Sequence, residues 1–178
     1  MATSTVQQKT FEALKGDMGY TNVMQVPKVT KVVVSTGVGS LKDKKKTDLI
    51  IGRLTRITGQ APAPRSAKKS IATFKIREGD IAGYQVTLRG ARAVAFLDKL
   101  IHVVLPRVKD FRGIRPESID EMGNITVGLR EHTVFPETAD EDMRDVFGLA
   151  ITITTTAKSK KEAEGFLRYI GFPLRAQK

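Results

Sequence analysis

Residues 70–89 read Ser-Ile-Ala-Thr-Phe-Lys-Ile-Arg-Glu-Gly-Asp-Ile-Ala-Gly-Tyr-Gln-Val-Thr-Leu-Arg, two alternating arms around Gly79, Asp80 and Gly83. Neighbouring residues of a strand point to opposite sides of its sheet. The pattern predicts a hairpin of 70–78 with 83–89. Phe74, Ile76, Tyr84, Val86 and Leu88 then face a core, and Thr73, Lys75, Arg77, Gln85, Thr87 and Arg89 face away.

Upstream of this hairpin, Val6, Thr10, Phe11, Leu14 and Met18 share one helical face over 6–18. A valine-rich strand follows at 29–36 and breaks at Gly37 and Gly39. Ile50, Ile51, Leu54 and Ile57 stripe a helix over 47–58, capped by Thr47 or Asp48 and stopped by Gly59, and Pro62 and Pro64 mark a loop. Downstream, a helix over 91–105 presents Val94, Leu97, Ile101, Val104 and Leu105 and ends at Pro106. Strands are predicted at 124–131 and 148–156. The last helix opens on a capping box of Ser159 and Glu162, buries Ala163, Phe166, Leu167 and Ile170, and stops at Gly171 and Pro173. Interleaved helices with a hairpin signal give an α+β class: a single domain, a largely antiparallel β-sheet with helices packed on one face, and extended loops.

Charge then narrows the function. The 178 residues carry a formal net charge of +11, and the charge is unevenly spread. Residues 1–116 hold 22 basic and 8 acidic side chains, 117–147 hold 2 and 9, and 148–178 hold 6 and 2. We read 1–116 as a part facing a polyanion, 117–147 as an acidic segment facing solvent or a basic protein, and 148–178 as a closing strand and helix. The outward hairpin residues supply cations for phosphates and neutral donors and acceptors for 2′-hydroxyls and base edges, although a solvated sheet face carries the same pattern. Further cations cluster at Lys42, Lys44, Lys45 and Lys46 and at Arg65, Lys68 and Lys69. The alternative from another class is a protein–protein bridging module with an incidental basic surface.

Enzymatic readings fare poorly. Gly37-Val38-Gly39 follows a strand, but position 42 is lysine where a dinucleotide fingerprint needs its third glycine, and no Gly-Lys-Ser/Thr follows. Cysteine is absent, and His102 and His132 have no metal-ligand spacing. No enzyme, cofactor or metal is expected. No apolar run approaches the roughly 20 residues that span a bilayer, so no membrane partner is expected. Met1 to Thr5 have neither the basic nor the apolar region of a secretory signal, which places the protein inside the cell.

Several stretches then resemble one family. Val23-Met24-Gln25-Val26-Pro27-Lys28, Thr58-Gly59-Gln60, Ala67-Lys68-Lys69-Ser70-Ile71 and Phe74-Lys75-Ile76-Arg77 are similar to the bacterial L-five family of large-subunit ribosomal proteins. So are Val86-Thr87-Leu88-Arg89-Gly90, Leu105-Pro106-Arg107-Val108-Lys109-Asp110-Phe111-Arg112-Gly113, Phe135-Pro136-Glu137 and 151–157, in the family's order and spacing. The resemblance implies a cytoplasmic ribosomal protein of the central protuberance that binds 5S ribosomal RNA and lies beside 23S ribosomal RNA and neighbouring proteins there. It also implies contact with the elbow of the P-site transfer RNA and a bridge to a small-subunit head protein, S-thirteen. By the same resemblance, Ser35, Thr36, Gly37, Gly39, Gln60, Lys68, Lys69, Thr87 and Arg89 would lie near 5S RNA. Lys75, Arg77, Gly79, Ile81 and Gly83 would reach the transfer RNA, and Phe135, Glu137, Asp140, Glu141, Asp142 and Asp145 would face the small subunit. The chain departs from the family at Ser35, where asparagine is usual, and at Ala150, where aspartate is common. Glu78 and Asp80 place negative charge in the transfer-RNA loop.

Overall fold

The computed structural model describes residues 3–39, 44–138 and 146–175. The valine-rich run, apolar on one face, takes the centre of the sheet as β1 (Val29–Gly37). It pairs antiparallel with β3 (Ile81–Leu88) on one side and β5 (Leu149–Thr155) on the other. β2 (Ala63–Ser66) and β4 (Ile125–Leu129) form the edges, in the order β2-β3-β1-β5-β4. Val32, Val34, Val86, Leu88, Ile151 and Ile153 all point to one face and are buried. Each such aliphatic side chain contributes about 1.5–3 kcal/mol by leaving water.

Helices cover that face. α2 (Lys44–Thr58) lays Ile50, Leu54 and Ile57 into the core and stops at Gly59, whose φ of +67 suits a residue without a Cβ. It begins at Lys44, ahead of the predicted Thr47 cap. α3 (Gly90–Lys99) contributes Ala93, Phe96 and Leu97 and runs on through a π turn, Leu100–Val104, into α4 (Leu105–Arg107). The predicted stop at Pro106 is therefore overrun. A π turn, with the Leu105 N–H reaching back to the Leu100 carbonyl, widens the helix where the proline ring would meet the preceding turn. Val94, predicted to be inward, is exposed, and Ala93, Phe96 and Leu100 take the core instead.

The predicted hairpin does not form. The arm at 70–78 is a loop holding a short 3-10 turn, Ala72–Phe74, and one bridge between Ile71 and Ile76, with Lys75 left-handed at φ 54. Phe74 is therefore exposed rather than in the core, and Thr73, Lys75 and Arg77 lie outside the core beside it. The true partners of β3 are β1 and the short β2, which includes Pro64. An edge strand is paired on one side only, so a residue without an N–H is tolerated there. Gly83 lies inside β3, not in the loop, and the close strand pairing there requires glycine, since a Cβ would stand 2.5 Å from the Thr36 carbonyl oxygen.

α1 (Thr3–Met18) docks on α5 (Lys160–Tyr169) through a smaller cluster of Leu14, Tyr20, Val26 and Phe166. Gly165 gives Met18 room, since a Cβ would approach its Cε to 2.8 Å. Ser159 caps α5 by accepting the Glu162 N–H at 3.3 Å, but the Glu162 carboxylate takes the Lys158 N–H rather than that of Ser159. Its other oxygen accepts the Tyr20 hydroxyl at 2.7 Å. Burial, then that hydrogen bond and the Glu162 charge, push the Tyr20 phenol well above the ordinary tyrosine value of 10.0. A raised acid stabilises the fold fully below the unfolded value and progressively less as pH climbs through it. Stability against urea should therefore decline from about pH 10 upward, and Tyr20→Phe should flatten that decline while costing about 1.5–3 kcal/mol at pH 7. An equally steep alkaline decline in the variant excludes this origin.

Candidate nucleic-acid interface

The face of the sheet away from the helices is lined by short side chains. Strand register sets Ala63, Gln85, Ser35, Ala150 and Gly128 in one row across the sheet, and Thr87, Val33, Thr152 and Thr126 in the next. Lys31 and Thr154 pair beyond them. All are half-buried or exposed, as expected of the outward side of an alternating strand. The Thr126 and Thr152 hydroxyls meet at 3.1 Å, the Ser35 hydroxyl donates to the Ala150 carbonyl at 3.4 Å, and Arg65 Nε donates to Gln85 Oε1 at 2.8 Å. The two departures, Ser35 and Ala150, are thus register partners, which keeps this row low.

Beyond β2 the chain enters the loop 67–80. Its base is closed by the Ala67 N–H to the Asp80 carbonyl, 2.8 Å, and the Gly79 N–H to the Ala67 carbonyl, 3.1 Å. The Asp80 side chain braces the loop from within, one carboxylate oxygen accepting the Arg77 N–H at 2.8 Å. Ser70 accepts the Glu78 N–H at 2.9 Å. Lys68, Lys69, Lys75 and Arg77 lie along the loop outside the core, and Arg89 stands exposed at the start of α3. Among the described residues, no carboxylate lies within ion-pair distance of these five. Ile71, Phe74 and Ile81 expose 47%, 68% and 47% of their surface, so this stretch carries apolar as well as cationic side chains in solvent. Ile76 turns inward against Gly39, where a Cβ would stand 3.2 Å from its Cδ1, so the loop leans on the turn after β1.

Of the residues expected near RNA, Ser35 and Thr87 lie on the open face, Gly37 ends β1 and Gly39 lies in the turn after it, Lys68 and Lys69 are on the loop, and Arg89 follows the other end of β3. Gln60 is half-buried just ahead of β2, and Lys42 lies outside the described residues. Thr36 is the exception: it points into the core, and its hydroxyl donates to the Gly148 carbonyl at 2.8 Å. Gly79 and Ile81 flank Asp80 at the loop's end, with Ile81 opening β3. Strand alternation hides Phe74, because it assigns that ring to the core. It also hides Thr126 and Thr152, because threonine in a strand is explained by propensity alone.

The acidic side divides likewise. Phe135 is fully buried, its ring stacked on Phe96 at 6.1 Å between centroids, so it anchors this segment instead of presenting it. Glu137 is exposed, and its Oε1 accepts Lys99 Nζ at 2.6 Å. Asp140, Glu141, Asp142 and Asp145 lie outside the described residues. His132 is buried, stacked on Phe147 at 4.2 Å, with Nδ1 accepting the Phe147 N–H at 3.4 Å, which is a packing role.

An open antiparallel face of hydroxyls and amides beside exposed cations is the kind of surface carried by polyanion-binding structural modules. Known relatives sharpen that class. Residues 22–77 match the family model described as "Ribosomal protein L5", and residues 81–174 match the model for the C-terminus of the same ribosomal family. The chain is 47% identical over 173 residues to "Large ribosomal subunit protein uL5" of Heliobacterium modesticaldum, covering 97% of this chain and 96% of that one. It is 49% identical to the proteins of the same name from Natranaerobius thermophilus (90% of each chain) and Rubrobacter xylanophilus (95% and 94%). The chain belongs to the L5 (L-five) family of ribosomal proteins, an RNA-binding, non-enzymatic family of the large subunit of the cytoplasmic ribosome.

Proposed function

We propose that this chain holds 5S ribosomal RNA in the central protuberance of the large subunit, alongside 23S ribosomal RNA and neighbouring proteins there. The observation that carries the reading is the uncovered sheet face of Gln85, Ser35, Thr87, Thr152 and Thr126, bounded by Lys68, Lys69 and Arg89. Short side chains let a ribose-phosphate backbone lie close to the sheet, where hydroxyls and amides meet 2′-hydroxyls and base edges while cations meet phosphates. Gly37 at the end of β1 and Gly39 in the turn after it, with Gln60, extend that surface. Thr36 supports it from the core side.

In this reading the loop 67–80 reaches the elbow of the P-site transfer RNA. Lys75 and Arg77 supply charge, and the exposed Phe74 ring supplies a stacking or ribose contact that a purely electrostatic loop lacks. Glu137 and the acidic residues from Asp140 to Asp145 bridge to the basic head protein S-thirteen of the small subunit.

A gel-shift panel tests the main claim. Purified protein should retard 5S RNA ahead of other structured RNAs of similar length, with affinity falling steeply as salt rises. Equal retardation of every RNA in the panel would leave basicity alone as the explanation and remove the specific site.

A further inference from the structure

We infer that Lys99 is a positioning residue for the acidic segment: it sets how the stretch before Asp140 sits on the helices, and so how the carboxylates beyond it meet a basic partner. This rests on the bridge reading above. Lys99 ends α3, and its Nζ lies where three parts of the chain converge. It donates to the Ile57 carbonyl at 2.7 Å and to Glu137 Oε1 at 2.6 Å, and it stands 5.6 Å and 5.7 Å from the ring centroids of Phe96 and Phe135. Ile57 lies in the last turn of α2, whose carbonyls run short of N–H partners within the helix, so the ammonium also caps that helix. Aromatic faces within about 6 Å attract a cation as well.

Two features separate this contact from an ordinary surface pair. The first is direction. The buried Phe135 ring fixes how deep the stretch 135–138 sits, but apolar burial is non-directional. Hydrogen bonds are directional, so the link from Ile57 through Lys99 to Glu137 fixes how that stretch is turned against α2 and α3. The second is place. Glu137 opens the acidic run that continues in the sequence at Asp140, Glu141, Asp142 and Asp145. Downstream the chain returns at Phe147, whose ring stacks on His132 at 4.2 Å and whose carbonyl accepts the His132 N–H at 3.1 Å. Both ends of the run are therefore tied to 132–138, and Lys99 holds that stretch to the helices. Glu137 Oε1 is taken by Lys99, whereas Oε2 has no hydrogen bond to a described residue and is left for the partner.

Positioning predicts a sign that charge alone does not. Removing a cation makes this side of the protein more negative, so electrostatics by itself has Lys99→Met bind a basic partner more tightly. Positioning has it bind less tightly, because affinity scales with the fraction of molecules that hold the competent arrangement. The test uses the full chain with purified S-thirteen as the probe, alongside amide hydrogen exchange. Lys99→Met should weaken S-thirteen binding about tenfold. Lys99→Arg, which keeps donors for both oxygens, should recover most of that loss. The Thr138 N–H, bonded to the Phe135 carbonyl at 3.1 Å, should exchange about tenfold faster in Lys99→Met while that of Val34 in β1 is unchanged. Should Lys99→Met not fold, Lys99→Gln reads the same two quantities without the charge. Tighter or unchanged binding overturns the inference. So does weaker binding with unchanged Thr138 exchange, which makes Lys99 a direct contact. Equal acceleration at Val34 overturns it too, as a general loss of stability. Wild-type protein that does not bind S-thirteen sinks the bridge reading, and Thr138 exchange alone then decides whether Lys99 holds the segment.

Discussion

Phe135→Ala should destabilise the chain by about 3–5 kcal/mol, a large part of the roughly 5–15 kcal/mol that holds a domain together. The ring is fully buried and stacks on Phe96 of α3. Lys99 Nζ sits 5.7 Å from its centroid, held by the Ile57 carbonyl at 2.7 Å and by Glu137. The segment around it is tied to itself: the Phe135 N–H reaches the His132 carbonyl at 3.1 Å, and the Thr138 hydroxyl reaches the same carbonyl at 2.9 Å. Truncation leaves a cavity that these bonds prevent from collapsing. Urea unfolding should show a lower midpoint with an unchanged slope, because the surface exposed on unfolding hardly alters. A loss below about 1 kcal/mol contradicts the anchoring role. Glu137→Gln should cost far less, since its pair with Lys99 is a quarter to a third exposed and such pairs contribute at most about 1 kcal/mol.

The second large effect is on RNA. Lys68→Glu/Lys69→Glu should weaken 5S RNA binding by several kcal/mol, on the order of a hundredfold or more, by removing two phosphate contacts and adding repulsion. The slope of log affinity against log salt should fall by roughly two in magnitude, at about 0.7–0.9 per contact. Both side chains lie outside the core and neither is in an ion pair with a described residue, so stability should move by no more than about 0.5 kcal/mol. Filter binding at four or five salt concentrations, beside a thermal melt, reads both. An unchanged affinity removes the two lysines from the interface. Lys75→Glu/Arg77→Glu, farther out on the loop, is the matched control and should leave 5S binding close to wild type.

Much of the architecture is written in local pattern. β1 and β5 alternate so strictly that period two leaves no other reading, and the apolar stripe of α2 is equally plain. The tilt of charge toward the first 116 residues, with cations at 68 and 69, points to a polyanion without any coordinates. The arm at 70–78 misleads. Phe74 and Ile76 imitate a strand, yet Asp80 captures the Arg77 N–H and Lys75 turns left-handed, and these choices close a loop. The strand that does pair, Ala63-Pro64-Arg65-Ser66, shows no alternation, because all four residues are exposed and none enters the core.

Residue pattern alone is enough for the inward face of each central strand, the class of fold and the sign of the partner's charge. These are one-dimensional properties, set by which side chains avoid water and which carry charge. It takes the packed chain to turn Phe135 toward the core, to put Ser35 and Ala150 in one row, and to stand Phe74 in solvent. Those facts depend on which strand lies beside which, and backbone hydrogen bonds between distant segments leave no periodic trace in either one.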